Sequence, residues 1–574
     1  MKIRHYLMAL CCTGSLLGAY ASSEETTTIK LLETSDIHGA YFPYDFITRQ
    51  PQKGSLARIS TFVNEQRKQY GDNALLMDNG DILQGQPVAY YYNYIDTAST
   101  HVCAAMLDYL KCDVANMGNH DIETGHAVYD RWISQCHFPM LGANIIDQRT
   151  GEPYLPPYRI FERDGIRVAV LGLITPAIPS WLPETMWSGL RFEDMETCAR
   201  RWTEIIRRQE HPDILVGLFH AGPEGNTLDN VIENGSEIVA RNIPGFDVVF
   251  MGHDHRRLCK KICNVAGDSV LLINPANAAR AIADVTVKVT RKDGKILHKS
   301  VEGKLSDVTS LPIDEAFMQT FDPQYQATLR FVSRKIGSIR NTITTQDAFF
   351  GPSAFVDLIH QLQLDITGAD ISFCAPLSFR AEIKEGDIYV SDMFNLYKYE
   401  NLLYTMRLTG REIKGVLEMS YALWTNRMQS PDDHLLLLND QDEGFGRLKN
   451  PSFNFDSAAG ILYTVDVTQP EGKKITITSL ADGTPFDLDR TYTVAINSYR
   501  GNGGGDLLTK GAGIPKAELA KRIVRATEKD LRYYLMKRIE EVKTLDPHPL
   551  NQWRFVPEEW TKPASERDRE ILFK

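Results

Sequence analysis

Ile29-Lys30-Leu31-Leu32-Glu33-Thr34-Ser35-Asp36-Ile37-His38-Gly39 is the stretch that decides the fold. A short apolar run passes directly into a polar tip holding two metal-ligand residue types at alternate positions. Alternate side chains of an extended segment leave on one side, so Asp36 and His38 can act together. The pattern recurs. Residues 74–77 lead into Asp78-Asn79-Gly80-Asp81, and 114–117 into Gly118-Asn119-His120-Asp121. Residues 214–219 lead into His220-Ala221-Gly222, and 248–251 into Gly252-His253-Asp254-His255, with 167–173 a further run of the kind. Short β-branched-rich runs followed by longer mixed stretches predict a layered α/β domain with strands buried under helices. Polar residues at strand ends project from loops held by a rigid sheet, where such folds build their sites.

The gaps between these runs carry helical periodicity. Residues 56–69 put Leu56, Ile59, Phe62 and Val63 on one face, with Gly71 just beyond. Residues 195–208 do the same with Cys198, Trp202 and Ile205, and His211-Pro212 ends them. The run from Val270 through Ile282 to Val289 reads as strands closing a domain over 28–305. A connecting helix and linker are expected over 306–345, with Pro323 placed to kink or divide the helix. A second α/β unit follows over 346–545. Its helices are expected at 353–364 and 413–424, its strands at 370–374, 402–408, 461–467, 474–479 and 492–495. Gly501-Asn502-Gly503-Gly504-Gly505-Asp506 reads as a loop, 517–541 as a final helix and 546–574 as a surface tail.

The chain has 574 residues, with 63 basic against 74 acidic side chains and a net charge of −11. No basic block offsets this, so a broad grip on duplex nucleic acid is not expected. A small anionic substrate remains compatible, its charge being met locally. Lys2 and Arg4 precede a mostly apolar run over 6–17, and Ala19-Tyr20-Ala21 offers the small residues of a cleavage site. Residues 1–21 therefore read as a signal peptide of an exported, periplasmic protein. That run is shorter than the ~20 residues needed to span a bilayer, and no transmembrane segment is expected in the mature chain. Seven of the nine cysteines lie beyond it, too scattered for a disulfide scaffold. Cys259 and Cys263 admit a local disulfide, a zinc knuckle or two buried thiols.

Five of the 14 histidines fall in the polar tips, beside aspartate, asparagine and glycine. Two divalent ions ~3.5–4 Å apart need a shared anionic ligand, imidazoles and carboxylates around them, and room for water and substrate. Asp36, His38, Asp81, Asn119, His120, His220, His253 and His255 supply these types. His253 and His255 sit at alternate positions, which allows one per ion or both near one centre. His101, His126 and His137 read as surface or structural, Asp254 as an orienting or surface group. Asn79 and Asn274 are weaker candidates for supporting the ligands.

These five stretches together resemble the signature of the calcineurin-like metallophosphoesterases. Over roughly residues 28–540 the chain resembles the exported two-domain 5′-nucleotidase and 2′,3′-cyclic-nucleotide phosphodiesterase family. That resemblance implies a four-layer α/β/β/α sandwich followed by an α/β nucleotide-recognition domain, with hinge rotation between domains in relatives. It implies two divalent ions, drawn from zinc, manganese, cobalt or magnesium. Asp36, His38, Asp81 and His255 would hold the first; Asp81 would bridge to the second, completed by Asn119, His220 and His253. His120 would lie beside the transferring phosphoryl group, with Glu123 where many relatives carry an orienting aspartate.

The same resemblance places Arg380 near the phosphate, although Cys374-Ala375-Pro376-Leu377-Ser378-Phe379 precedes it where relatives carry asparagine and glycines. Tyr399 falls at a base-stacking aromatic, with Asn401 beside it. Tyr499, Arg500 and Leu507 complete the implied substrate set, leucine standing where the second aromatic is expected. The wording Asn497-Ser498-Tyr499-Arg500 before the glycines is closer to the cyclic-nucleotide branch. The implied activity is metal-dependent hydrolysis of nucleotide phosphate esters, as a 5′-nucleotidase, a 2′,3′-cyclic-nucleotide 2′-phosphodiesterase/3′-nucleotidase, or both. A UDP-sugar or non-nucleotide phosphate ester hydrolase, and a non-catalytic nucleotide-binding protein, are the alternatives.

Overall fold

A computed structural model describes residues 24–228, 230–293, 295–442 and 446–574. The signal peptide expected at 1–21 lies outside the described residues.

Two six-stranded sheets form the first domain. One runs in the order Lys295–Asp307, Ala281–Lys292, Glu25–Thr34, Ala74–Asp78, Val114–Asn116, Met140–Leu141. The other runs Arg257–Cys263, Ser269–Pro275, Val248–Met251, Ile214–His220, Ile166–Ile174, Tyr158–Arg163. The central strands of both are parallel, and their polar ends therefore share one edge of each sheet. Side-chain alternation builds the layers. Val168 and Val170 meet Ile29 and Leu31 between the sheets. Ala169, Leu171 and Leu173 face the helices Met195–Glu210 and Ser236–Asn242. On the other side, Leu32 and Leu76 face Leu56–Tyr70 and Val102–Tyr109. Strands covered on both faces are apolar at successive positions, which is why they read as unbroken runs. Ser55 caps Leu56–Tyr70 by accepting from the Arg58 N–H, and Gly71, at φ +56°, ends it.

The connection differs from a single helix. Glu315–Thr320 and Asp322–Val332 are separate helices, and Pro323 occupies the first turn of the second, where its missing N–H costs nothing. Residues 335–339, expected in the linker, form the strand Lys335–Ile339, paired with Gly386–Tyr389 and Thr544–Leu545. They belong structurally to the second unit.

That unit is centred on the sheet Ser457–Ala459, Ile371–Cys374, Thr491–Asn497, Leu402–Thr409, Ile523–Asp530. The long final helix expected over 517–541 is instead Lys516–Arg522, the strand Ile523–Asp530, and Leu531–Val542. Ile523–Asp530 is an edge strand with one buried residue, Thr527, so no period-2 apolar pattern betrays it. The expected surface tail is also corrected. Trp553–Val556 pairs with Ile461–Asp466, Trp553 stacks on Tyr463 at 5.9 Å, and Glu558–Phe573 buries Ala564 and Leu572. A four-residue strand followed by a charged helix is too short and too polar to stand out in sequence.

All seven described cysteines are free. Cys259 and Cys263 are exposed on one strand, four residues or ~13 Å apart by strand rise. That excludes a disulfide between them, which needs Cα atoms within about 7 Å, and it excludes the buried-thiol option.

The two domains meet along apolar and polar contacts, with Tyr90 buried edge-on to Phe394 at 5.5 Å. Tyr90 donates to Asp530 at 3.1 Å, Tyr94 to Glu400 at 3.4 Å, and Arg49 to the Ser391 hydroxyl at 2.6 Å.

Candidate metal centre and substrate cleft

The polar tips fold into tight, strained loops. Asp36, His38, Asp81, His253 and His255 all have φ between +49° and +72°. A non-glycine residue in that region costs about 1–2 kcal/mol, and five in one site indicate a constraint other than stability. The loops hold one another in place. The Asp36 N–H donates to the Gly80 carbonyl and the His38 N–H to the Asp81 carbonyl, both at 2.9 Å. Buried Asp121 accepts the N–H groups of Asp81, Ile82, Leu83 and Gly118 at 2.8–3.0 Å, tying the second loop to the third. Gly118 has no substitute there, since a Cβ would lie 2.2 Å from Asp81 Oδ1.

Hydrogen-bond partners then decide which way each imidazole faces. His220 Nδ1 donates to the Asn79 carbonyl at 2.6 Å, which leaves Nε2 3.1 Å from Asn119 Oδ1 and 3.2 Å from Asp81 Oδ2. His253 Nε2 donates to Glu233 at 2.7 Å, leaving Nδ1 2.8 Å from the same Asn119 oxygen. His38 Nδ1 is satisfied by the Gln84 carbonyl at 3.2 Å, and its Nε2 lies 2.9 Å from His255 Nε2. His255 Nε2 is also 3.3 Å from Asp36. Asp81 Oδ1 accepts the His120 N–H at 2.8 Å, while Oδ2 is buried and faces His220 Nε2 at 3.2 Å.

Acceptor atoms thus converge in two groups, Asp36–His38–His255 and Asp81–His220–His253, each set within 4.8 Å. One proton cannot satisfy an asparagine oxygen, two imidazole lone pairs and a carboxylate together, whereas a cation can. This mixed nitrogen and oxygen donor set fits divalent metals. Burial pulls the His38 imidazole down to about 4, against the attraction of Asp81, so its nitrogen stays a lone pair. Burial also disfavours a charge on His220, but Asp81 lifts its pKa to about 10, so proton and metal compete for that gap. His253 and His255 divide between the two groups.

His120 stands apart from both groups. Its Nδ1 meets Glu123 Oε2 at 2.5 Å, so the longer glutamate arm does reach the imidazole. Burial works against its charge, yet Asp81 and Glu123 raise its pKa to about 9. His101, His126 and His137 are occupied with Asn93, Asp130 and Asp108 respectively, away from these groups. Asn274 donates to Asp254 at 2.8 Å, bracing the His253 loop.

A cleft of about 830 Å³ begins at Asn119, His120 and His253 and is closed on its far side by the second domain. Of the residues expected to bind substrate, Tyr399, Asn401 and Tyr499 line it. The other three do not. Arg500 is 1% exposed, paired to Asp456 at 2.6 Å and donating to the carbonyls of Phe453 and Gly504. Leu507 is fully buried in the domain core. Arg380 donates to the Leu572 carbonyl at 2.9 Å and lies over the rings of Phe379 and Phe573, toward the C-terminal helix. The cleft instead gains Phe453, edge-on to Tyr499 at 6.3 Å, Trp181, 5.5 Å from the His253 ring, and Glu233. None of these has a spacing that marks it in sequence.

Comparison with known proteins agrees with this geometry. Residues 29–257 match the model of the calcineurin-like phosphoesterases and residues 335–510 that of the 5′-nucleotidase C-terminal domain. Over 96% of its length the chain is 26% identical to the trifunctional nucleotide phosphoesterase protein YfkN of Bacillus subtilis, of which it spans 40%. It is 23% identical to the 2′,3′-cyclic-nucleotide 2′-phosphodiesterase/3′-nucleotidase of Yersinia enterocolitica, over 96% of this chain and 91% of that one. A solved structure of a putative 5′-nucleotidase from Staphylococcus aureus shares the fold, with a TM-score of 0.76 at 22% identity, covering 92% of this chain and all of the other.

Proposed function

Because this chain belongs to the calcineurin-like phosphoesterases that carry a 5′-nucleotidase C-terminal domain, we propose that it hydrolyses phosphate esters of nucleotides at a two-ion centre. The observation that carries this reading is the convergence of imidazole nitrogens, an amide oxygen and a carboxylate around Asp81 Oδ2 at the mouth of a cleft walled by tyrosines. Asp36, His38, Asp81 and His255 would hold one divalent ion, and Asp81, Asn119, His220 and His253 the other. When bound, such a pair supplies a nucleophilic water near neutral pH and offsets charge on phosphate oxygens.

The chain's own groups do the rest. His120, oriented by Glu123 through Nδ1, presents Nε2 to the cleft, where it can hydrogen-bond a phosphate oxygen or protonate the leaving oxygen. Asp121 and Gly118 hold the loops so that ligand positions need no rearrangement on binding. Tyr399, Tyr499 and Phe453 present ring surface to a base, and Asn401 a hydrogen-bonding group at its edge. Names of relatives point to 5′-nucleotides and to 2′,3′-cyclic nucleotides. The Asn-x-Tyr-Arg wording favours the cyclic branch. Residues 1–21 support export, and among the described residues no helix is long and apolar enough to cross a membrane.

Purified protein assayed with manganese, zinc, cobalt, magnesium or a chelator against AMP, 3′-AMP, 2′,3′-cAMP, UDP-glucose and a chromogenic diester tests the reading. Metal-dependent release from 2′,3′-cAMP and 3′-AMP is expected. Turnover of the chromogenic diester alone would remove the nucleotide assignment, and no turnover with any metal would leave a nucleotide-binding protein.

A further inference from the structure

The hairpin Gly225–Leu228 and Val231–Asn234 projects over the cleft from the loop after His220. Its base is fastened there: Asn234 Oδ1 accepts the Gly222 N–H at 2.7 Å, and the Ser236 hydroxyl donates to the Ala221 carbonyl at 2.8 Å. Its second strand carries Glu233, only 9% exposed, whose carboxylate meets His253 Nε2 at 2.7 Å. A free carboxylate on a polar hairpin would turn to solvent; this one is held against an imidazole.

We propose that Glu233 is a positioning residue for the second ion, fixing the tautomer and orientation of His253 so that Nδ1 faces Asp81, His220 and Asn119. The inference rests on the two-ion reading above. A carboxylate can only accept, so the proton sits on Nε2 and the lone pair on Nδ1. A carboxylate on the far nitrogen also raises the basicity of a ligating imidazole and locks its ring. Among the described residues no other side chain bonds Nε2 of His253, and Trp181 offers it only a ring face, tilted by 36°. His220 has a carbonyl on its far nitrogen and His38 the Gln84 carbonyl. His253 alone among these ligands depends on a charged group from a separate, cleft-lining hairpin. His255, of the other group, is bonded through Nε2 to His38 and has no carboxylate behind it among the described residues. Glu233 should therefore matter for one ion and not for the other.

The test is metal binding, not turnover. Mature protein stripped with chelator is titrated with Mn²⁺ alone, and stoichiometry and affinity are read by calorimetry and by elemental analysis after dialysis. Spin-coupled manganese pairs are followed by electron paramagnetic resonance. Wild type is expected to take two ions. Glu233→Ala should weaken the second about 10- to 100-fold and leave the first unchanged, replacing the coupled-pair signal by an isolated-ion signal. Glu233→Gln, which keeps an acceptor without the charge, should fall between. Thr227→Ala, on the other strand of the hairpin, should bind as wild type does. Two ions bound by Glu233→Ala with wild-type affinities, or equal weakening of both, would overturn the proposal while the two-ion reading stands. A wild type that never takes a second ion would overturn both.

Discussion

The two walls of the cleft are built by different rules. On the first domain, every candidate ligand lies within a few residues of a strand end, and the strands are parallel, so backbone topology alone delivers the groups to one edge. On the second domain, the cleft side chains come from segments around 399, 453 and 499, far apart in sequence. Their directions are set by buried partners. The first wall is local grammar repeated; the second is tertiary packing. Asp81→Asn strikes the first wall hardest, because one carboxylate oxygen faces His220 and His38 of both groups. Loss of both ions and a fall in kcat on the order of 1000-fold are expected, whereas His38→Ala should cost chiefly one ion. Elemental analysis beside phosphate release reads this, and equal small losses across all ligands would break the idea of a shared carboxylate.

The second wall should fail by a different route. Arg500 and Asp456 form a buried pair, and Arg500 also holds the carbonyls of Phe453 and Gly504. Burial of Asp456 raises its pKa despite that arginine, so the pair is not free stabilisation. Arg500→Met strands the carboxylate and should destabilise the protein by about 3–5 kcal/mol. Urea unfolding of the variant reads that loss. Asp456→Leu combined with Arg500→Met should recover most of it, since no charge is left unpaired. If Arg500→Met instead leaves unfolding unchanged and raises KM alone, Arg500 contacts substrate directly and the contrast between the walls fails.

His120→Ala belongs between these extremes. About 100-fold in kcat is expected to go while both ions stay bound, because the His120 ring is outside both acceptor groups. Glu123→Gln should lose less, since Gln can still accept from Nδ1 but without charge. Loss of an ion in His120→Ala would make it a ligand.

How much was legible follows from the same division. The strand runs and their polar tips showed a layered α/β domain with its site at the strand ends, because a parallel strand buried on both faces must be apolar throughout, and because Asp36-Ile37-His38 and His253-Asp254-His255 repeat one spacing; the four-layer order came with the family resemblance. Arg500 and Leu507, which the resemblance puts at the substrate, lie behind the cleft instead, and nothing local distinguishes an arginine that faces a cleft from one that grips two carbonyls behind it. Glu233 and Phe453 were invisible for the converse reason: each becomes a cleft residue only when a hairpin or a turn from elsewhere is folded over it. The strand Ile523–Asp530 was hidden by exposure, and the C-terminal helix by its charge.

The smallest effect is also the sharpest discriminator. Tyr399 and Arg380 were both expected to touch substrate, yet one lines the cleft and the other lies over Phe379 and Phe573. Losing one base-stacking ring costs about 1–3 kcal/mol, so Tyr399→Ala should raise KM for a nucleotide about 5- to 150-fold and leave KM for a chromogenic diester without a base unchanged. Arg380→Ala removes a carbonyl hydrogen bond and a ring contact at a half-open surface, worth about 0.5–1 kcal/mol of stability, and should move neither KM. Measuring both variants on both substrates separates stacking from phosphate binding. A rise in KM for both substrates in Arg380→Ala would mean that its guanidinium reaches the phosphate in the working enzyme, which the contacts to Leu572 and Phe573 oppose. To do so its side chain must give up the Leu572 carbonyl and the Phe573 ring, so that outcome would place a swing of Arg380 away from the C-terminal helix within the catalytic cycle.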